Sequence, residues 1–310
     1  MEPGTEAGPC LSVARIRFLL VFREGGAVTR EWGNTLRGGF GYALRAVSCS
    51  LRRDGCAECP LGRVCAYGYL FETPIQQSDT VMRKYTSAPH PFVIEPDDTV
   101  RSVVSSGDGA SFSMVLAGQA TDYLPFILLA VKRLGAAGFG RDRVPFEVMG
   151  VSDEAGASCH GGEAGNAVLV PPRRRLPLCP GASRTEEFSL HFESPARVQH
   201  GGRIMDRPGL REVVESLRRR LFLLCHFHGN GTETPLSPAF LRAADEAETL
   251  EADFEWRDAA RRSTRQMCDV PIGGVLGRMR CRGDLGVLEP LLRAGEYMHV
   301  GKNAAFGLGK

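Results

Sequence analysis

The order in which apolar patterns follow one another is the strongest constraint on what this chain can become. From Ser12 to Phe22 apolar residues alternate and then run together (Val13, Ile16, Phe18, Leu19, Leu20, Val21), a strand pattern. Asn34 to Ser48 follows, with Leu36, Phe40, Ala43, Leu44 and Val47 at helical spacing and Asn34 placed to cap the helix. Thr99–Gly118 holds alternating strand patterns broken by Ser-Gly-Asp-Gly, a hairpin signal. Leu124 to Leu134 predicts a second helix, ending at Gly135 and the loop Gly138-Phe139-Gly140-Arg141. The order then recurs: a strand over Glu187–Glu193, a helix over Arg211–Phe227, strands around Gly274–Cys281, a helix over Leu288–Arg293 and a glycine-rich terminal loop. Strand, helix, strand pair, helix and closing strand is the grammar of a ferredoxin-like domain. The expected fold class is therefore α+β, two tandem ferredoxin-like domains spanning 1–150 and 186–310. Between them, 151–185 is rich in Gly, Ala, Ser and Pro and reads as a variable linker or hairpin. The halves share an element order and no evident sequence identity.

Length and composition agree with this. The 310 residues suffice for two domains, and 43% apolar with 24% charged residues excludes a disordered or collagen-like chain. The longest apolar runs, Phe18–Phe22 and Leu124–Val131, fall well below the ~20 residues of a membrane helix. The opening Met-Glu-Pro-Gly-Thr-Glu has no basic segment before an apolar one, so no signal peptide is evident. The expectation is a cytoplasmic protein with no membrane partner.

A net charge of +2 by itself does not indicate a nucleic acid. Among the 38 basic residues, however, only Lys84, Lys132, Lys302 and Lys310 are lysine. Arginine's planar fork suits phosphate and stacks on bases, so the bias fits an RNA partner; arginine-rich codon usage in a GC-rich genome would produce it too. Arg257, Arg261, Arg262 and Arg265 recur at spacings of three and four and would form one positive stripe on a helix or helical turn. Ten cysteines in a cytosolic chain point to metal ligands, reactive thiols or core residues before disulfides. Cys49, Cys56, Cys59 and Cys65 include a Cys-x2-Cys knuckle and can close a tetrahedral structural zinc site. The alternative is a set of structural thiols beside Tyr67 and Phe71.

The terminal loop can hold a phosphate: closely spaced Gly301, Gly307 and Gly309 leave the main chain uncovered, and Lys302 and Lys310 add charge. A tight turn whose glycines only satisfy positive φ is the competing reading. His299, two residues ahead of Gly301, can shuttle the proton of a ribose 2′-hydroxyl or of a leaving 5′-oxygen, or can serve as a structural residue closing the loop.

Five motifs in order carry a family resemblance. They are Leu36-Arg37-Gly38-Gly39-Phe40-Gly41-Tyr42-Ala43-Leu44-Arg45 with the Cys cluster; Tyr67-Gly68-Tyr69-Leu70-Phe71-Glu72; Leu134-Gly135 with Gly138-Phe139-Gly140-Arg141; the run from Trp256 through Gly273-Gly274 to Gly283-Asp284-Leu285; and the closing Gly295-to-Lys310 segment. The chain resembles the CRISPR-associated RAMP endoribonucleases, Cas family six, in the branch ending in a His-Val-Gly-Lys…Phe-Gly-Leu-Gly loop. The resemblance spans roughly residues 12–150 and 186–310. It implies RAMP (RRM-like) domains and cleavage of repeat RNA in precursor CRISPR RNA by metal-independent attack of the 2′-hydroxyl. The product would carry 2′,3′-cyclic phosphate and 5′-hydroxyl ends and stay bound for an effector complex.

The resemblance implies RNA contact at Gly301, Lys302, Asn303, Gly307, Gly309, Lys310, Arg141 and the Arg257–Arg265 stripe. Zinc at the Cys cluster would be structural, with no cofactor for catalysis. One feature departs from the family: many members carry a catalytic His on or just after the first helix, and here no His precedes His90. Tyr42, Arg37 and Arg45 are what that helix offers, with His299 the imidazole candidate and His90, between two prolines, a loop residue. The vacancy favours a rival reading, a catalytically silent RAMP subunit that holds guide RNA among other effector subunits. In similar proteins residues usually follow the Gly-Leu-Gly-Lys segment.

Overall fold

A computed structural model describes residues 8–29, 32–52, 55–56, 59–62, 64–75, 81–82, 87–97, 101–159, 171–229, 231, 235–263 and 268–310, with backbone only at 260–263 and 268–269. The chain divides into two compact units, Val13–Arg174 and Arg175–Lys310 with Met1–Ser12. The division falls at a strand, inside the 151–185 stretch read as linker; residues 160–170, His160 among them, lie outside the described residues.

The first unit is built from β1 (Cys10–Phe22), β2 (Gly26–Ala27), α1 (Trp32–Ser48), β3 (Phe92–Pro96), β4 (Val103–Val104), β5 (Gly109–Ala117), α2 (Leu124–Ala137) and β6 (Phe146–Asp153). Its sheet runs β3-β5-β1-β6, and each neighbouring pair is antiparallel. This is the ferredoxin-like order, in which β1 and β5 occupy the centre and so carry the most apolar strand sequences. Strand side chains alternate faces, so Ile16, Phe18, Leu20 and Phe22 are buried together, with Phe18 stacked on Phe112 at 4.9 Å and Phe22 edge-on to Trp32 of α1. β7 (Arg174–Pro177) pairs with β1.

The expected hairpin over 99–118 is corrected. Its turn forms, with the Ser105 N–H donating to Asp108 Oδ2 at 2.8 Å, but the two-residue β4 pairs with β2. β5 has both edges occupied, by β1 and β3.

The second unit contains β8 (Glu187–Ala196), β9 (Gln199–His200), β10 (Arg203–Ile204), α3 (Leu210–His228), α4 (Ala239–Glu246), β11 (Glu248–Arg257), β12 (Ala260–Ser263), β13 (Cys268–Pro271), β14 (Gly274–Arg282) and α5 (Glu289–Met298). The antiparallel order β11-β14-β8 repeats the first three positions of the ferredoxin-like sheet. Met279 and Cys281 are buried on one face of β14, and the α3 residues Val214, Leu217, Leu221 and Leu224 are buried at helical spacing. Where a fourth strand would pair with β8, the terminal segment takes its place. Gly309 N–H donates to Pro195 O at 3.1 Å, Glu193 N–H to Lys310 O at 2.9 Å and Lys302 N–H to Arg197 O at 3.0 Å. Among the described residues no helix is long and apolar enough to cross a membrane.

Candidate active site

Arg37, Gly41 and Arg45 stand four residues apart on α1 and so form one line along it. At 1.5 Å rise per residue the two arginines are about 12 Å apart along the axis. Gly41 lies between them because an aromatic ring comes close there: a Cβ on Gly41 would sit 2.9 Å from Phe71 Cε1. Phe71 belongs to a π-helical turn, Gly68–Glu72, and its ring stacks on Tyr67 at 5.4 Å. The Arg37 guanidinium lies 5.2 Å over the Phe71 ring and that of Arg45 5.8 Å over Tyr67. Two cations are thus held on two aromatic faces, which restricts their motion without neutralising them.

A third group joins them from the loop ahead of β3. Arg37 Nη2 lies 2.6 Å from His90 Nε2. A guanidinium only donates, so Nε2 accepts and the neutral ring carries its proton on Nδ1. The imidazole stacks on Phe92 at 5.7 Å and lies 5.9 Å from Phe71. Pro89 and Pro91 restrict the backbone on either side. Reading His90 as a plain loop residue missed this juxtaposition; the traceable signal was Pro-His-Pro directly before the apolar Phe92-Val93-Ile94. Burial pushes the Tyr67 phenol up to about 12, helped by the charge and hydrogen bond of Glu72 and opposed by Arg45.

On α1, Tyr42 does not share the line of Arg37 and Arg45. Tyr42 is 68% exposed and lines a different feature, an open cleft of about 440 Å³ bordered by Thr35, Gly39, Arg133, Phe139 and Arg143. Five residues beyond Arg37, it lies about 140° away around the helix. His299 is fully buried in the second unit, its Nδ1 3.2 Å from the Leu308 carbonyl. It caps α5 at φ 58°, ψ 165°, so it closes the loop as a structural residue would.

The terminal glycines are explained by packing. A Cβ on Gly309 would meet Val300 O at 1.9 Å and one on Gly301 would meet Arg197 O at 2.5 Å. The amides of Lys302, Gly307 and Gly309 donate to Arg197 O, Ala304 O and Pro195 O. Those amides do not form the expected phosphate cradle, because the fold itself uses them. Lys302 remains exposed and Asn303 half-buried, whereas Lys310 Nζ is 3.0 Å from Glu193.

The arginine stripe is not helical. Arg257 ends β11, and Arg261 and Arg262 lie in β12, where extended backbone makes the spacing of three and four irrelevant; Arg265 lies outside the described residues. Arg141 is exposed in the loop that turns Phe139 inward against Trp32, 4.6 Å between rings. On α3, Arg211 pairs with Asp245, Arg218 donates to Leu236 O, and the half-buried Arg220 donates Nε to Met298 O at 2.8 Å. His228, also on α3, is buried.

Burial, and then the charge of Glu72, push the Cys56 thiol up, opposed by Arg45. Cys65 Sγ lies 3.6 Å from Ser48 O. Four thiols suit zinc as donors; among the described residues no group of three or more His, Cys, Asp or Glu is disposed to hold a metal ion.

Two ferredoxin-like units, the second closed by a glycine-rich loop beside its edge strand, define a tandem ferredoxin-like architecture. Residues 190–310 match the family CRISPR-associated endoribonuclease Cas6, and residues 11–168 match a family described as an N-terminal domain. An uncharacterised protein of Archaeoglobus fulgidus is 30% identical over 283 residues, 89% of each chain. A Cas6 product complex shares the fold at TM-score 0.55 and 16% identity, covering 96% of this chain and 98% of that one. Thermus thermophilus Cas6 matches at TM-score 0.52 and 14% identity, over 96% and 97%. A partial Cas6-RT-Cas1–Cas2 complex matches at 0.53 and 12%, over 97% of this chain and 45% of that one. Through residues 190–310 the chain belongs with the Cas6-type CRISPR-associated proteins.

Proposed function

We propose that this protein cleaves CRISPR repeat RNA in precursor transcripts and keeps the guide RNA for an effector complex. The observation that carries the reading is the pair of aromatic-seated cations, Arg37 and Arg45, on α1 of a Cas6-type chain. In the reaction the ribose 2′-oxygen attacks the adjacent phosphorus and the bond from phosphorus to the 5′-oxygen breaks. The ends are a 2′,3′-cyclic phosphate and a 5′-hydroxyl. RNA supplies its own nucleophile, so catalysis reduces to aligning these atoms and balancing the charge that grows on the phosphoryl oxygens, which two guanidinium groups can do without a metal. Lys302, Asn303, Arg141, Arg257, Arg261, Arg262 and Arg265 are proposed to hold the RNA backbone, which A-form stems present mainly as phosphates and 2′-hydroxyls. Cys49, Cys56, Cys59 and Cys65 are proposed as structural zinc ligands; a fully protein-filled site leaves no position for chemistry.

One observation favours a second reading, a silent guide-holding subunit: α1 itself carries no histidine. A labelled RNA carrying a CRISPR repeat from the same genome separates the two. Cleavage in EDTA with a cyclic-phosphate end supports the nuclease, and tight binding without a cut leaves the RNA-holding subunit.

A further inference from the structure

We infer that His90 is the proton-transfer group of this site, kept in its neutral form and in register by Arg37. The inference rests on the nuclease reading above. Among the described residues of the Val13–Arg174 unit His90 is the sole histidine, and it meets α1 at the arginine next to the aromatic seat. Its ring has little freedom, lying nearly parallel to Phe92 at 15° and beside Phe71, and the prolines on both sides restrict the backbone that carries it. Orientation fixed by packing is what a catalytic imidazole requires.

The contact at 2.6 Å also defines which atom acts. With Arg37 donating to Nε2, that nitrogen holds the lone pair. A guanidinium has five donors in a rigid fork, so an RNA phosphate competes for Arg37 directly. As Arg37 turns to the phosphate, Nε2 is freed to accept the 2′-hydroxyl proton. The 2′-oxygen forms its bond to phosphorus, the 5′-oxygen departs with its electron pair and takes a proton from water, and the imidazolium returns its proton to solvent. The resting pair thus couples phosphate arrival to exposure of the base. His90 is fifty-three residues from Arg37 in sequence, so an imidazole absent from the helix is supplied across the fold.

The test uses the full chain with enzyme in excess over the labelled repeat RNA, comparing wild type, His90→Ala and His90→Gln. Glutamine retains an acceptor for Arg37 and cannot carry the proton. Cleavage should fall on the order of 10²–10⁴-fold in both variants, with RNA affinity within about threefold of wild type and wild-type melting for His90→Gln. Added imidazole should restore part of the His90→Ala rate, which a merely structural side chain would not allow. Wild-type rates in either variant overturn the inference and leave the nuclease standing. Wild-type protein that binds the repeat and never cuts it overturns the nuclease reading, and this inference with it. If both variants unfold, carbethoxylation of wild type with diethyl pyrocarbonate decides, with modified sites read by mass spectrometry. Cleavage lost in step with His90 modification upholds the role, and full cleavage with His90 modified ends it.

Discussion

His299→Ala separates structure from chemistry most sharply. The side chain is fully buried and its Nδ1–H meets Leu308 O at 3.2 Å, across the loop that fills the place of a fourth strand. Truncation leaves that carbonyl without its partner, about 1–2 kcal/mol, and removes a buried ring whose space the loop fills only in part, about 1–2 kcal/mol more. The sum, about 2–4 kcal/mol, corresponds to a melting temperature lowered by about 5–15 °C. His299→Gly loses the same contacts but relieves a positive φ of 58°. That relief, about 1–3 kcal/mol, exceeds the roughly 0.5–1 kcal/mol that glycine's unfolded-chain entropy costs. Glycine should therefore melt above alanine. Calorimetry would be paired with repeat-RNA cleavage at a temperature where both variants are folded, and cleavage should match wild type. An unchanged melting temperature with cleavage abolished would refute the structural assignment and return His299 to the chemistry.

Gly41→Ala should lower cleavage. Its Cβ must displace a Phe71 ring held on several sides, costing about 1–3 kcal/mol against a helix-propensity gain of about 1 kcal/mol, so a small drop in urea-unfolding stability accompanies the loss. Tyr67 has its pKa raised from 10.0 to about 12, so the stabilisation it supplies is complete below pH 10 and is lost as pH rises to 12. Urea unfolding should show wild type losing more stability across that window than Tyr67→Phe, and equal losses would contradict the burial-driven shift. Under the zinc proposal, mass spectrometry should find one zinc per chain and Cys59→Ser should lose it; metal-free wild type would rule the site out. Lys302→Ala should weaken RNA binding about equally for all sequences and reduce the slope of log affinity against log salt by roughly one.

What the sequence revealed and what it concealed divide along physical lines. α1, α2 and α3 were legible because their buried residues recur at helical spacing within one element. β3 was not: Phe92–Pro96 is short and buried almost throughout, and an apolar run of that length has no periodicity to distinguish strand from helix. β11 carries a period-2 alternation, Leu250, Ala252, Phe254 and Trp256 against Glu251, Asp253, Glu255 and Arg257, and was passed over although legible; none of its residues is buried. The arginine stripe at 257–265 failed because spacing has meaning only once the backbone is known. The three consecutive arginines Arg218 to Arg220 point in three directions from α3, and Arg220 reaches the end of α5. Its burial, which lowers the guanidinium to about 10, is invisible in composition.

His90 is the informative case. Nothing local distinguishes it from other loop histidines; its position follows from α1 lying over the edge strand β3, with Gly41 admitting Phe71 as the common floor of Arg37 and His90. Chemistry constrains where an imidazole stands in space, not which element carries it. A helix lacking histidine is therefore weak evidence for a silent protein when a neighbouring loop ends at the same point.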